Sequence, residues 1–571
     1  MTTADAVVDR LTGPGGPFEI VTEDVLGVPT KVYRQRMRSM RELMEQNTPR
    51  ADEEWLVQED RRFTFGEHDR LARVVASRLA DLGVGHGDRV ALVSANVPEW
   101  VVTWWACAVA GAVVVPLNAW WKTEELEFGI VDSGAKVLIA DERRIALVRD
   151  RLTEMRELEH VFAIGDPGAR PVRPFSELVD HDGDPGMPTN YVEEDDLLAI
   201  LYTSGTTGQP KGATLTHRQA IANLQNIMVG GVAAKMRGEP PPEVGAELRS
   251  ATLLVVPLFH VTGCLATMVL AYATGGKLVL MPVGRFDPDV AMRVIEREKI
   301  TSIGGVPTVM WRILESPNLG RYDLSSVQRA SYGGAPAAPE LVERIEQVFP
   351  NLRKTLSTAY GLTETASVAT LVSGEDYFAH PGSVGRPVPT VEVRVVTDDG
   401  IDAAPGERGE VWIKGPTVMA RGYWRRPDAN EAAFSDGWFH TGDIGYLDEE
   451  GYLYLVDRAK DMIIRGGENV YSVEVEHVLF DHPDVVDAAV VGVPHRTLGE
   501  EVKAVVQLRP GSTATAEDLR EFCRQHLADF KVPAYVEFRD EPLPRNPAGK
   551  VLKNVLRGQE TSFAVSDDRT L

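Results

Sequence analysis

Cysteine is scarce in this sequence, and its distribution offers no pairing pattern. Three cysteines occur among 571 residues, at Cys107, Cys264 and Cys523, with no C-x-x-C pair and no metal-ligand spacing. A disulfide framework and a cysteine-rich zinc site are therefore not expected. The N-terminal segment MTTADAVVDR is polar and acidic, whereas a signal peptide is basic and then apolar. Both features favour a cytoplasmic protein.

Positive charge is also in short supply. The chain has 60 lysines and arginines against 84 aspartates and glutamates, so its formal net charge is −24. Such a surface repels nucleic acid, and we expect no nucleic-acid partner. Any polyanionic substrate must be met by a few locally placed lysines and arginines. No coiled-coil pattern appears, so the sequence leaves the oligomeric state open.

One long uncharged run imitates a membrane span. Residues 100–121 carry no charge over 22 positions, which is roughly bilayer length. However, Pro98 and Glu99 are typical of a helix first turn, Gly111 is typical of a helix end, and residues 113–116 are typical of a short strand. A buried helix followed by a central parallel strand has this pattern. We therefore expect no transmembrane segment.

The order of the apolar runs predicts an α/β fold. From Arg89 onward short apolar runs alternate with helix-length segments, which favours largely parallel sheets. Around residue 390 the strands become shorter and alternate, as in a small antiparallel, barrel-like unit. We expect an N-terminal domain over residues 1–457, with two parallel-type sheets and this small unit. A smaller, mobile α+β domain is expected over residues 458–571. In the entry segment, residues 32–46 predict an amphipathic helix.

The segment LLAILYTSGTTGQPKGATLTHRQA carries the strongest chemical signal. A buried strand ends near Tyr202, a glycine- and threonine-rich loop follows, and the T-x-x-Q spacing of Thr216 and Gln219 predicts a capping box. The glycines let backbone N–H groups approach phosphates, the hydroxyls donate hydrogen bonds, and the lysine adds a charge. The lysine spacing differs from that of a Walker A loop. The expected phosphate-binding residues are Thr203, Ser204, Gly205, Thr206, Thr207, Gly208 and Lys211.

This loop resembles the phosphate-binding loop of the adenylate-forming superfamily, and the chain is most similar to its acyl-CoA synthetases. Other segments of that superfamily follow in the expected order: PLFHVTG at 257–263, YGGAP at 332–336, YGLTET at 360–365, GWFHTGDIG at 437–445, DRAKDMIIRGGENV at 457–470 and NPAGKVLK at 546–553. The resemblance implies that ATP activates a carboxylic acid as an acyl-adenylate with loss of pyrophosphate. CoA then accepts the acyl group and AMP leaves.

The resemblance also implies roles for individual residues. Mg²⁺ needs an oxygen ligand near the phosphates, and Glu364 supplies a carboxylate beside the Thr363 hydroxyl. Tyr360 is expected to stack on adenine. Asp443, which is expected to lie in a turn, and Arg458 are expected to bind the ribose. Lys550 is expected to be the adenylation lysine. The further expected residues are Gly334, Ala335, Pro336 and Gly361 for ATP, Lys460 for the hinge, Gly466 and Gly467 for the CoA side, and His260 as an aromatic gate beside the carboxylate. Taken alone, the YGLTET segment also fits a helix start capped by Thr363, and His260 also fits a packed core histidine.

The sequence says less about the acid and the acceptor. PLFHVTG lacks the aspartate that pairs with the ammonium group in amino-acid-activating relatives, so an α-amino acid is disfavoured. The expected acyl wall is small and apolar, which suits a medium or long aliphatic chain and also admits a ring acid; it comprises Gly263, Gly304, Gly305, Val306 and Thr308. A carrier-protein-loading acyl-AMP ligase is the main alternative, although such enzymes often read His-Asp-Met-Gly where this chain reads His-Val-Thr-Gly. A luciferase-like oxygenase and an inactive binding protein remain as lesser alternatives.

Overall fold

The fold is described from a computed structural model. It describes residues 3–181, 183–203, 210–237, 249–305, 307–333, 339–349, 352, 354–458, 461–465, 468–546 and 550–558. Within these ranges the chain forms mixed α/β sheets in its larger N-terminal part and a separate, smaller sheet at its C-terminal end. The predicted fold class is therefore confirmed.

A seven-stranded sheet has the order β11-β10-β6-β5-β7-β8-β9. Its strands are β5 (Arg89–Val93), β6 (Val113–Pro116), β7 (Val137–Asp141), β8 (His160–Ile164), β9 (Arg173–Pro174), β10 (Leu197–Thr203) and β11 (Lys211–Thr216). All neighbours are parallel except β10 and β11, which are antiparallel. This one antiparallel pair brings the two ends of the predicted phosphate loop together.

A nine-stranded sheet has the order β18-β17-β16-β15-β14-β12-β13-β3-β4. Its strands are β3 (Glu54–Gln58), β4 (Arg61–Thr64), β12 (Ala251–Leu254), β13 (Lys277–Leu280), β14 (Ser302–Gly305), β15 (Arg329–Gly333), β16 (Ser357–Tyr360), β17 (Thr370–Ser373) and β18 (Arg386–Pro387). The six central strands are parallel, and the strands at both edges are antiparallel.

The small antiparallel unit predicted near residue 390 is confirmed. It contains β19 (Glu392–Val396), β20 (Gly409–Lys414), β21 (Phe434–Ser435), β22 (Trp438–Leu447) and β23 (Leu453–Arg458). The C-terminal sheet contains β24 (Ile463–Arg465), β25 (Glu468–Val470), β26 (Val485–His495), β27 (Gly499–Leu508) and β28 (Tyr535–Phe538). A separate hairpin near the N-terminus contains β1 (Ile20–Val25) and β2 (Val28–Tyr33).

The helices cover both faces of the larger sheets, as a parallel arrangement requires. They are α1 (Thr3–Thr12), α2 (Met40–Gln46), α3 (Phe65–Asp81), α4 (Pro98–Ala110), α5 (Thr123–Ser133), α6 (Glu142–Val148), α7 (Ser176–Val179), α8 (His217–Met236), α9 (Leu270–Ala273), α10 (Pro288–Glu298), α11 (Pro307–Leu314), α12 (Pro339–Val348), α13 (Glu375–Ala379), α14 (Pro427–Ala433), α15 (Ser472–Phe480), α16 (Ala516–His526) and α17 (Lys553–Leu556).

The uncharged run at 100–121 is a core element, as predicted. Helix α4 ends at Gly111, which takes a left-handed conformation with φ of 69°, and β6 follows. The Trp100, Trp104 and Trp105 side chains are fully buried in the core that joins the two large sheets. Across the described ranges, no helix is both long enough and apolar enough to cross a bilayer.

The predicted helix over residues 32–46 is wrong in its first half. Residues Val28–Tyr33 form β2, and helix α2 begins only after Ser39, whose hydroxyl caps it by accepting a hydrogen bond from the Glu42 N–H. Val32 and Tyr33 are both buried, and Tyr33 packs in a small cluster with Leu11 of α1 and with Val229 and Ala233 of α8. The apolar character of this strand therefore reflects burial against the rest of the fold, which helical periodicity alone cannot distinguish over so short a run.

Candidate active site

The ends of the predicted phosphate loop lie opposite each other. Thr203 pairs with Lys211 at the open end of the β10–β11 ladder, and the Thr203 hydroxyl donates a hydrogen bond to the Lys211 carbonyl at 3.3 Å. The helix that follows begins with the predicted capping box between Thr216 and Gln219. Strand pairing before the loop and a capped helix after β11 therefore fix the two ends of the loop and hold the Lys211 backbone in place.

Lys211 is joined to Glu364 through a tyrosine. The Lys211 Nζ lies 5.3 Å from the centre of the Tyr423 ring, within cation–π range. The Tyr423 hydroxyl donates a hydrogen bond to Glu364 Oε1 at 2.8 Å. The predicted phosphate lysine and the predicted metal carboxylate, 153 positions apart in the sequence, therefore share one bridging side chain.

Tyr423 is a site residue that the sequence reasoning missed. Its backbone forms an isolated bridge with Ala213 of β11, and the neighbouring Trp424 N–H donates to the Gly212 carbonyl at 2.7 Å. The Asn430 side chain accepts a hydrogen bond from the Tyr423 N–H at 2.6 Å. The available signal was the aromatic pair in RGYWRRP, but its pairing with β11 is a long-range contact that no local pattern reveals.

Glu364 stands on a tight turn that follows β16. Residues Thr363–Thr365 form a single 3₁₀ turn, and the Thr365 hydroxyl accepts a hydrogen bond from the Leu362 N–H at 2.9 Å. The capping hydroxyl is thus that of Thr365 and not of Thr363. Glu364 is only 8% exposed, so its carboxylate is held in a mostly dry setting.

Gly361 makes this turn possible. A Cβ at Gly361 would lie 1.4 Å from the Ser367 carbonyl oxygen, far inside any tolerated contact. The chain closes on itself there because Ala366 and Ser367 take positive φ angles of 52° and 100°. Such angles are costly for residues with side chains, and they mark backbone held by its surroundings.

Tyr360 and Asp443 meet on the other side of the same turn. The Tyr360 hydroxyl donates a hydrogen bond to Asp443 Oδ2 at 2.6 Å, and both side chains are buried. The register of β23 places Arg458 opposite Asp443, so the two predicted ribose residues are cross-strand neighbours. The structure therefore brings together residues predicted for adenine and ribose from three separate strands.

The prediction that Asp443 lies in a turn is wrong. Asp443 lies inside β22, where residues 441–443 bulge opposite the single residue Val411 of β20. The Thr441 hydroxyl donates to the Val411 carbonyl at 2.7 Å, and Gly442 has φ of 68°. The HTGD sequence has the composition of a turn because a bulge uses the same residue types.

His260 lies just before an irregular helix at the predicted acyl side. A π-helix runs over Thr262–Val269, and π-turns of this kind recur at functional sites. The His260 Nε2 is buried and has no hydrogen-bond partner among the described residues. Burial lowers the pKa of His260 to about 4, so the ring is neutral at physiological pH. A Cβ at Gly263 would lie 2.1 Å from the Pro257 carbonyl oxygen, so glycine is required by packing there.

The predicted acyl wall is formed in part by the end of β14. A Cβ at Gly304 would lie 3.1 Å from the Ser331 hydroxyl, and one at Gly305 would lie 3.0 Å from a Val255 methyl. A Cβ at either position would therefore lie closer to its neighbour than ordinary van der Waals contact. The backbone of Thr308 lies in the first turn of α11, directly after this strand.

Lys550 lies in a closed turn near the end of the chain. The Lys550 N–H donates to Asn546 Oδ1 at 2.9 Å, and its carbonyl accepts from the Asn546 N–H at 2.7 Å. An isolated bridge between Arg545 and Val551 closes the same turn. We call the described residues 545, 546, 550 and 551 the lysine turn.

Some predicted residues lie outside the described part of the chain. They are Ser204, Gly205, Thr206, Thr207 and Gly208 of the phosphate loop, Val306 of the acyl wall, Gly334, Ala335 and Pro336 of the YGGAP segment, Lys460 of the hinge, and Gly466 and Gly467 of the CoA side. No cluster of three or more histidine, cysteine or acidic side chains suited to a metal ion occurs among the described residues. Mg²⁺ at a nucleotide commonly uses only one or two carboxylates plus phosphates and water, so the buried carboxylate of Glu364 fits that ion.

The chain matches two family models in sequence. Residues 43–424 match the AMP-binding enzyme family, and residues 474–550 match the AMP-binding enzyme C-terminal domain. A feruloyl-CoA synthase from Amycolatopsis sp is 37% identical over 499 residues, covering 86% of this chain and 93% of that protein. A long-chain-fatty-acid–CoA ligase from Bacillus subtilis (strain 168) is 35% identical over 534 residues, covering 88% of this chain and 90% of that protein.

Solved structures show the same likeness. The o-succinylbenzoate CoA synthetase MenE from Bacillus subtilis, solved with the acyl-adenylate OSB-AMP, has a TM-score of 0.76 and 31% identity, and the match covers 92% of this chain and 98% of that chain. The same protein solved with ATP and a magnesium ion also gives a TM-score of 0.76, with 92% of this chain and 100% of that chain covered.

Proposed function

We propose that this chain, a member of the AMP-binding enzyme family, converts an apolar carboxylic acid into its CoA thioester in two steps. As a member of the adenylate-forming superfamily, it is an AMP-forming acid–thiol ligase. In the first step the carboxylate attacks the α-phosphorus of ATP, and pyrophosphate leaves. In the second step the CoA thiol attacks the acyl carbonyl, and AMP leaves. The observation that carries the proposal is the continuous path from Lys211 through Tyr423 to Glu364.

The proposed ATP site is built around two hydrogen-bonded pairs, Tyr360 with Asp443 and Tyr423 with Glu364. Tyr360 presents its ring to adenine, while Asp443 accepts hydrogen bonds from the ribose hydroxyls with Arg458 beside it. Lys211 neutralises charge on the pyrophosphate that leaves. Phosphoryl-type transfer is catalysed mostly by positioning and charge neutralisation, so residues that fix these groups have a direct effect on rate.

Glu364 is the residue that would hold Mg²⁺, with the Thr363 hydroxyl directed to the α-phosphate. The Glu364 carboxylate is buried and already oriented by the Tyr423 hydroxyl, which suits a hard cation that prefers oxygen ligands. When bound, the ion neutralises phosphate charge. Tyr423 keeps the carboxylate in one orientation and offers Lys211 an aromatic face, so neither charge needs to pair with the other.

Lys550 is the proposed adenylation lysine, carried on a C-terminal domain over residues 458–571 that turns about Lys460. A cation on this turn stabilises the negative charge that develops between the carboxylate and the α-phosphate. A second orientation of the domain brings Gly466 and Gly467 to the pantetheine of CoA. One cleft can then serve two reactions that need different surroundings.

The acid is proposed to be apolar. The glycines at 304 and 305 add no charge to the proposed acyl wall, and the neutral His260 ring is the proposed gate beside the substrate carboxylate. Relatives named for a long-chain fatty acid and for the aromatic acid of feruloyl-CoA support both an aliphatic and a ring acid. The proposal therefore covers medium and long fatty acids and other apolar acids.

The test is a substrate panel with two acceptors. The purified protein is given ATP, Mg²⁺ and acids of varied length and ring content, with either free CoA or a phosphopantetheinylated carrier protein. We expect pyrophosphate from ATP and acid alone, and stoichiometric AMP and acyl-CoA once CoA is added. Pyrophosphate exchange without CoA-dependent AMP release, but with loading of the carrier protein, would replace CoA ligation by carrier-protein loading.

A further inference from the structure

A lysine three positions after Lys550 is anchored inside the C-terminal domain. The Lys553 Nζ donates to the Ser472 hydroxyl at 2.5 Å and forms an ion pair with Glu476 at 2.7 Å. The Lys553 and Glu476 side chains are only 14% and 13% exposed, so solvent screens this pair weakly. Lys553 is the first residue of α17, and its anchor therefore lies directly beside the lysine turn.

The anchor continues to the residue that precedes the ribose arginine. Asp457 Oδ2 accepts hydrogen bonds from both the backbone N–H and the hydroxyl of Ser472, the latter at 2.8 Å. Ser472 is fully buried and is the first residue of α15. A carboxylate at a helix N-terminus satisfies N–H groups that have no partner within the helix. Asp457, Ser472 and Lys553 thus form one continuous hydrogen-bonded path.

A second ion pair fastens the other end of α17. The Arg557 guanidinium lies 3.2 Å from Asp461 Oδ1, and both side chains are mostly buried, at 19% and 11% exposed. Asp457 and Asp461 lie on either side of the proposed hinge position at 460. Arg557 therefore ties the short helix after the lysine turn to the chain on the C-terminal side of that position, whereas the contact between Asp457 and Ser472 spans it.

The inner face of α17 adds apolar contact. Leu556 is buried in a small cluster with Leu543, Ala489, Val491 and Val505 on the face of β26 and β27. Apolar packing is not directional, so it holds α17 against the sheet without fixing its rotation. The ion pairs of Lys553 and Arg557 fix the rotation of α17.

We propose that Lys553 and Arg557 are positioning residues that fasten α17, and with it the lysine turn, to the chain on the C-terminal side of the hinge, so that the C-terminal domain carries Lys550 as one rigid arm. The inference rests on the proposed function, because it takes Lys550 as the adenylation lysine. Lys553 touches no substrate in this account; it acts through the placement of Lys550. Loss of its anchor should therefore slow adenylation and leave thioester formation from a supplied acyl-adenylate largely unchanged.

The experiment compares Lys553→Met with a matched control. Lys531 forms an ion pair with Glu474 of the same helix α15 at 2.7 Å and is similarly buried, at 17% exposed, but it is remote in sequence from the lysine turn. Both variants, together with Lys553→Arg and Lys550→Ala, are assayed for pyrophosphate release and, separately, for acyl-CoA formation from synthetic acyl-adenylate. Melting temperatures are recorded for each. Ser472→Ala, which removes only the hydroxyl, provides a milder break of the same path.

We expect Lys553→Met to lower kcat for pyrophosphate release at least 10-fold with less than a 3-fold change in the KM for ATP and in the second half-reaction. Lys553→Arg should restore most of the rate, and Lys531→Met should leave both half-reactions within 3-fold. Parallel loss of both half-reactions in Lys553→Met and Ser472→Ala would overturn the inference in favour of a merely structural role. If Lys553→Met does not fold, Ser472→Ala decides alone: an adenylation-specific loss supports the inference, and unchanged or parallel rates overturn it. Normal pyrophosphate release in Lys550→Ala would instead refute the assigned role of Lys550, and the inference with it.

Discussion

The Tyr360 hydroxyl donates a hydrogen bond to Asp443 Oδ2 at 2.6 Å, although the two residues lie 83 positions apart. Tyr360 is the last residue of β16 in the nine-stranded sheet, and Asp443 lies on a bulge of β22 in the small antiparallel sheet. A buried hydrogen bond to a charged group contributes about 1.5–3 kcal/mol. The bond therefore couples the two sheets at the point where the nucleoside is proposed to bind.

This coupling predicts non-additive effects on ATP affinity. Tyr360→Phe should raise the KM for ATP about 5- to 10-fold, and Asp443→Ala about 10- to 100-fold, because each breaks the same buried bond. The double variant should be no worse than Asp443→Ala alone. ATP–pyrophosphate exchange measures all three. Strictly additive losses would show that the two side chains act independently.

Tyr423→Phe should slow adenylation while Lys211 keeps its aromatic neighbour. The substitution removes only the hydroxyl that orients Glu364, so we expect pyrophosphate release to fall about 10-fold, which corresponds to about 1.4 kcal/mol. Tyr423→Leu should be worse because it also removes the face beneath Lys211. Tyr446→Phe is the matched control, since Tyr446 stacks on Tyr454 in the same small sheet. Equal rates for wild type and Tyr423→Phe would remove Tyr423 from the site.

Gly361→Ala should destabilise the protein and disable adenylation together. Its Cβ would meet the Ser367 carbonyl oxygen at 1.4 Å, so the turn that carries Glu364 must shift. We expect a loss of several kcal/mol in unfolding free energy, typical of a forced backbone clash. Gly231 in α8 is the control: nothing lies within 4 Å of its Cβ position, so Gly231→Ala should stabilise by up to about 1 kcal/mol. A Gly361→Ala variant with normal melting temperature and rate would contradict this account.

The sequence predicted the sheets and the start of helix α8 because both leave local signals. The uncharged run at α4 and β6, the capping box at Thr216 and the alternating strands near residue 390 each follow from spacing and residue type. The order of the motifs along the chain then implied roles for individual residues that no single motif could predict.

The failures have a common physical cause, which is contact between distant segments. Tyr423 reaches the site through pairing with β11, and Asp443 projects from a bulge whose partner is Val411 of another strand. The predicted helix at 32–46 failed because Val32 and Tyr33 pair with β1 as a strand, and Tyr33 is buried against the distant helices α1 and α8. Local composition carries no information about which strand becomes the neighbour.

The pH dependence of stability should report on His260. Burial lowers its pKa from 6.5 to about 4, so folding excludes the proton. Stability from this group is present above pH 6.5 and is lost as the pH falls towards 4, with about 2 kcal/mol gone at pH 5. His260→Gln should therefore show a smaller drop in melting temperature between pH 7.5 and pH 5 than the wild type.

The control for this measurement is a second buried histidine. Burial lowers the pKa of His217 to about 4 as well, and its Nδ1 accepts a hydrogen bond from the Met40 N–H at 3.1 Å. Part of the acid sensitivity should thus survive in His260→Gln. The kcat/KM profile of the wild type should show no ionisation of His260 between pH 6 and 8. An unchanged drop in melting temperature in His260→Gln would mean that the pKa of His260 is the same in the folded and the unfolded protein.

The most direct test of the central claim follows the oxygen atoms of the acid. The enzyme is given ATP, Mg²⁺, CoA and a long-chain or ring acid labelled with ¹⁸O in its carboxylate, and the AMP is examined by mass spectrometry. Attack of the carboxylate on the α-phosphorus leaves one acid oxygen on AMP after CoA displaces it, so we predict one ¹⁸O per AMP formed. AMP without the label, or label in inorganic phosphate with ADP as product, would contradict an acyl-adenylate intermediate.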